Sequence, residues 1–131
     1  MTRRELREHI FRLLFRAEFH PPDMMPEQIT LYAEHLTKTE DEDIDYIKDK
    51  TERILEQLAV LDENINDITT GWKVSRMGKV DLTIIRLAYF EIKFDEDIPT
   101  GVAINEAVEL AKHYGTSESP SFINGVLAKL V

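Results

Sequence analysis

Between Ile44 and Leu61 the side chains Ile44, Ile47, Thr51, Ile54, Leu58 and Leu61 recur alternately three and four residues apart. An α-helix, at about 3.6 residues per turn, gathers such a series onto one seam. No segment alternates apolar and polar residues as a half-buried strand would, so the spacing predicts an all-α chain. Glycines and prolines fall almost wholly between the helical stretches. Thr2-Arg3-Arg4-Glu5 has the pattern in which hydroxyl and carboxylate satisfy each other's backbone amides; it opens a first helix running to about His20, before Pro21-Pro22. Pro26 suits the first turn of a second helix carrying Ile29, Tyr32, Ala33 and Leu36. The seam helix follows the acidic stretch Glu40 to Asp43, and Asp62 is then expected to cap a short helix with Ile65 and Ile68, ended by Gly71. After a turn or short helix around Ser75 to Gly78, Asp81 is expected to cap the most buried helix, running through Ile92. Ala103 to Tyr114, stopped at Gly115, and a final helix to Leu130 with Ser119 as cap and Pro120 in its first turn complete the chain.

A chain of 131 residues supports one core, so residues 1–131 are expected to form a single domain. The absence of cysteine excludes disulfide scaffolds, thiolate metal sites and cysteine nucleophiles. Aliphatic runs such as Leu58 to Leu61 fall far short of the roughly 20 residues of a membrane span. Arg7, Arg12 and Arg16 interrupt any signal-peptide core, while Glu5, Glu8 and Glu18 argue against an organelle presequence. A cytoplasmic protein with no membrane partner is expected. The net charge of -9 argues against nucleic acid as a whole-chain figure, but residues 21–70 alone carry -10, whereas residues 1–20 carry +2 and residues 71–94 carry +3.

Asp41, Asp43, Asp45 and Glu52 have the spacing of a calcium loop, but Tyr46 stands where the sharp turn needs glycine, so a solvated acidic helix start is the better reading. His9, His20, His35 and His113 match no zinc or di-iron spacing, and no phosphate loop or activated serine is present. No catalytic residue, metal or cofactor is expected.

The first helix is more informative. Leu6, Ile10, Leu13, Leu14 and Ala17 form one apolar face, and Phe11, Phe15 and Phe19 lie on another, flanked by Arg4, Arg7 and Arg12. Two readings stand for the second face: core or homodimer surface, or a platform on which single-stranded RNA stacks its bases while guanidinium groups hold phosphates. Five of the eight arginines lie in this helix, which favours the second. Near the C-terminus Gly125 falls inside a helix, where a close helix crossing is the plain explanation.

The strings RRELRE, IIRLAYFEI, IPTGVAINEAVELAKHYG and SFINGVL, in this order over nearly the whole chain, resemble the NusB family of bacterial transcription antitermination factors. The resemblance implies about seven helices in two packed bundles and a non-catalytic role: binding the boxA RNA of ribosomal RNA leader transcripts together with NusE, a small ribosomal-subunit protein. With other Nus factors and RNA polymerase, that complex suppresses termination. It further implies that Arg3, Arg4 and Arg7 approach the RNA backbone, that Phe15 and Phe122 face bases with Asn124 beside Phe122, and that Arg86 points to the same surface, its plain role being an ion pair with Glu91 or Glu106. Asp81, with Arg76 and Lys79 near it, is implied in the NusE contact. Glu5, Glu8 and Ser121 dilute the basic character of the matching segments, so weak RNA binding alone and firm binding with NusE is expected. The rival readings are a NusB-like module of a ribosomal RNA cytosine methyltransferase and a structural helical dimer through Phe11, Phe15 and Phe19.

Overall fold

The computed structural model describes residues 1–69 and 71–131. They form seven α-helices and two short 3-10 turns, with no strand among the described residues. The helices are α1 (Arg3–Arg16), α2 (Met25–Glu34), α3 (Asp41–Glu56), α4 (Leu58–Ile68), α5 (Lys79–Phe94), α6 (Thr100–Tyr114) and α7 (Ser119–Leu130). The all-α expectation therefore holds. No helix among the described residues is long and apolar enough to cross a membrane. The chain divides into two compact units, Met1–Leu55 and Glu56–Val131.

In the first unit the capping box forms as the sequence predicts: the Glu5 amide donates to Thr2 Oγ1 at 3.1 Å and the Thr2 amide to Glu5 Oε1 at 3.0 Å. α1 stops at Arg16, short of His20. There the bonding tightens to a three-residue pattern, Ala17 to Leu14, Glu18 to Phe15 and Phe19 to Arg16, because Pro21 bars His20 from continuing a helix. Ile10, Leu13 and Leu14 of α1, Met25 and Ile29 of α2, and Ile47 and Ile54 of α3 are buried. Polar contacts fasten α1 to α2: His9 Nδ1 lies 2.6 Å from the Tyr32 hydroxyl, and Arg16 donates to Gln28 Oε1 at 3.0 Å while its guanidinium covers the Tyr32 ring at 5.1 Å. α3 begins at Asp41, so three carboxylates lie in its first turn, where the helix dipole favours them. The Met1 amine, 2.8 Å from Asp43 Oδ2, brings this acidic turn to the start of α1.

The long seam predicted from Ile44 to Leu61 belongs to two helices. Gln57 leaves helical geometry at φ -102° and ψ 2°, and α4 starts at the next residue. Asp62 consequently lies within α4 and caps nothing; its carboxylate receives Arg86 Nε at 2.9 Å and Nη2 at 2.6 Å.

In the second unit α5 is the central element, as predicted, with Leu82, Ile84, Ile85, Leu87, Ala88 and Phe90 buried around most of its circumference. It packs against α4, α6 and α7. Ala103, Ala107 and Ala111 of α6 are buried small residues that permit close helix approach, and α7 buries Ile123, Val126, Leu127 and Leu130 at helical spacing. Two expected caps are displaced. α5 starts at Lys79 after Gly78, which leaves Asp81 inside the first turn. α7 is flanked by Glu118, and Ser119 is its first residue, its hydroxyl accepting the Thr116 amide at 3.0 Å. A Cβ at Gly115 would lie 2.5 Å from Ser119 Oγ, so this position needs glycine for the close turn between α6 and α7.

Candidate nucleic-acid interface

In the first unit, α1 carries the arginines. Arg3, Arg4 and Arg12 are exposed, whereas Arg7 retains only 7 % of its surface. Arg12 lies 3.5 Å from Glu8, one turn back. Glu5, the acidic residue that dilutes this basic opening, is engaged by the capping box, and the Thr2 amide and then its hydroxyl hold its carboxyl below the usual range. Burial, helped by the Arg12 guanidinium, holds the His9 imidazole below its ordinary value, so this residue adds no cation near pH 7.

The three phenylalanines form a ladder that climbs out of the core. Phe11 is 3 % exposed, Phe15 is half-buried and Phe19 is 59 % exposed. Ring centroids are 6.1 Å apart for the stacked pair Phe11 and Phe15, and 5.1 Å for the edge-on pair Phe15 and Phe19. Each four-residue step advances about 40° beyond a full turn, so a series at this spacing winds away from the buried face. Phe11 is therefore core, while Phe15 and Phe19 present ring surface to solvent.

In the second unit, the segment between α4 and α5 presents Trp72, 48 % exposed and set edge-on against Phe122 of α7 with centroids 5.0 Å apart. Buried Thr69 organises the segment. Its hydroxyl donates toward the carbonyl oxygens of Ile65 at 2.5 Å and Trp72 at 2.9 Å, and the Trp72 amide returns to the Thr69 carbonyl at 2.9 Å. Asn66 Oδ1 accepts the Val74 amide at 2.9 Å, and Gly71 supplies the positive φ of 94° that the turn requires.

A cleft opens on each side of the aromatic pair. One, of about 260 Å³, is lined by Trp72 and Phe122 together with Arg76, Asp81 and Glu118. The other, of about 190 Å³, is lined by the same two rings with Ser121, Gly125, Val126 and Lys129. The structure therefore brings together Phe122, Arg76 and Asp81 from among the residues singled out in the sequence. Lys79 is exposed at the start of α5, outside either lining, and Asn124 is exposed some 200° around α7 from Phe122. Arg86 is held in a bidentate pair with Asp62. Gly125 mediates no helix crossing: it is exposed, and a Cβ there would meet nothing within 4 Å. Trp72 is not among the residues singled out in the sequence, although the chain's only tryptophan, after Gly71 and among Lys73, Arg76 and Lys79, is a usable signal.

Comparison with known proteins gives a consistent result. The model of a family described as the NusB family matches residues 4–131. A transcription antitermination protein NusB from Agathobacter rectalis is 56 % identical over 129 residues, covering 98 % of each chain. One from Lachnoclostridium phytofermentans is 51 % identical, covering 100 % of this chain and 99 % of its own. Among solved structures, T. maritima NusB superposes with a TM-score of 0.87 at 32 % identity, over 99 % of this chain and 90 % of that one. A structure of antitermination factors NusB and NusE in complex with dsRNA shares the fold, with a TM-score of 0.80 at 22 % identity, over 98 % and 94 % of the respective chains.

Proposed function

This chain belongs to the NusB family, and on that premise we propose that it is a non-catalytic transcription antitermination factor. It binds the boxA RNA of ribosomal RNA leader transcripts jointly with NusE, and with other Nus factors helps RNA polymerase pass terminators. The observation that carries this reading is family membership over residues 4–131, and each unit adds physical support.

In the first unit, exposed Arg3 and Arg4 supply cations for phosphates, and Phe15 offers ring surface for a base. Arg7, on the same helix, keeps only 7 % of its surface for such a contact. In the second unit, Phe122 takes a base and exposed Asn124 offers its amide to RNA. Arg86 acts by holding α4 on α5 through Asp62. Asp81 and Glu118 outnumber Arg76 in the larger cleft and make it acidic, suited to a cationic side chain of NusE, with Lys79 exposed outside the lining. The protein works in the cytoplasm on this reading.

The test is titration of a short labelled single-stranded boxA RNA, read by anisotropy, with and without NusE at two salt concentrations. Binding should be weak for the isolated chain and firm with NusE. Replacing both Arg3 and Arg4 by alanine should flatten the salt slope by roughly 0.7 per lost phosphate contact. Phe15→Ala should weaken binding at nearly unchanged slope, because stacking releases no counterions. Absence of RNA binding by the wild-type chain with NusE would overturn the proposal. Sedimentation of the same samples addresses the homodimer: a tight dimer that RNA never dissociates would reassign Phe15 and Phe19 to a subunit contact.

A further inference from the structure

We infer that Trp72 is a second base-stacking residue, and that the base it takes enters the smaller cleft, between the aromatic pair and Lys129. The inference rests on the RNA reading of Phe122 and extends it to a residue and a pocket.

Four observations converge. Trp72 is a large aromatic left 48 % exposed, yet hydrogen bonds from Thr69 and to Asn66 order the backbone around it and its ring rests edge-on against Phe122. A side chain fixed before binding loses little entropy when a ligand arrives. The clefts beside it differ in charge: the larger has Asp81 and Glu118 against Arg76, whereas the smaller has Lys129 as its sole charged lining residue. A nucleotide, with its phosphate, fits the second and is repelled by the first. The smaller cleft also has a hydroxyl donor and acceptor in Ser121 for a base edge. Finally, Gly125 lines it in mid-helix, where glycine is unfavourable and no close neighbour requires one. The missing side chain leaves the pocket one methyl group wider between Phe122, three residues before it, and Lys129, four residues after it, on the same face of α7.

Trp72 is the only tryptophan in the chain, so its emission reports on this position alone. The experiment titrates the full chain with NusE against the short boxA RNA, following anisotropy and tryptophan emission together, with Trp72→Phe as the emission blank. Emission should be quenched with the same midpoint as the anisotropy, and one abasic nucleotide, scanned along the RNA, should abolish the quench. Trp72→Ala should weaken binding about tenfold at unchanged salt slope, as expected for one stacked base, and Trp72→Phe should retain most of the affinity. Lys129→Gln should lower the slope by roughly 0.7. Gly125→Ala gives the sharpest contrast: it should raise the melting temperature while weakening RNA binding.

If RNA binds and depends on Arg3 and Arg4, but emission stays constant and Trp72→Ala binds normally, the inference falls and the proposed function stands. If NusE alone shifts the emission and Trp72→Ala weakens only NusE binding, the aromatic pair is a protein contact and the inference is wrong. If the wild-type chain with NusE binds no RNA, the underlying reading fails first.

Discussion

Thr51 carries a fully buried hydroxyl with no hydrogen-bond partner among the described residues. Burying an unpaired polar group costs free energy that a methyl of similar shape does not, so Thr51→Val should stabilise the chain by about 1 kcal/mol, read as a higher urea midpoint at unchanged m-value. His9 provides the pH dependence at this scale. Its folded pKa lies below the ordinary imidazole value, so protonation is easier in the unfolded chain. The stability tied to neutral His9 is complete above that value and is lost as the pH falls through the folded pKa. Melting temperatures between pH 7 and pH 5 should therefore drop less for His9→Gln than for the wild type. Residue types in the sequence located the basic α1 and its phenylalanines, but degree of burial was beyond them. Arg7 and Phe11 share spacing and chemistry with their exposed counterparts, and only the packed helix distinguishes them.

Helix ends show what local sequence can specify. The Thr2 and Glu5 box is legible because both partners lie within four residues; Thr2→Ala should cost about 1 kcal/mol in denaturant unfolding. Asp62, Asp81 and Ser119 were equally plausible caps by residue type, and none serves as one. Where a helix starts depends on how the whole element packs, and a side chain freed from capping is taken up elsewhere, as Asp62 is by Arg86. That pair joins α4 to α5 through charge-assisted bonds at 14 % and 24 % side-chain exposure. Asp62→Asn should destabilise the chain by roughly 2 kcal/mol, and a double-mutant cycle with Arg86→Lys should show strong non-additivity. The break at Gln57 had no glycine or proline to announce it and was illegible at this scale too.

For the whole molecule, the all-α class followed directly from periodicity, and the family resemblance from four strings distributed along the chain. The division at residues 55 and 56 did not, because it falls where the seam pattern runs on without interruption. Charge is segregated on the same large scale, with residues 21–70 holding -10. The acidic first turn of α3 reaches the start of α1 through Asp43, so part of that charge lies close to Arg3 and Arg4. Neutralising Glu40, Asp41 and Glu42 together should accelerate RNA association severalfold at low salt, an effect that disappears near 0.5 M on the order of the screening length there; stopped-flow fluorescence would measure it. A further consequence comes from how the arginines of α1 are committed. With Arg7 buried, Arg12 beside Glu8 and Arg16 spent on Gln28 and Tyr32, few cations are offered to phosphate. On the proposed function, such a surface would grip arbitrary transcripts weakly, and the reservoir of cellular RNA would leave the protein available for the rare sites where a partner completes the complex.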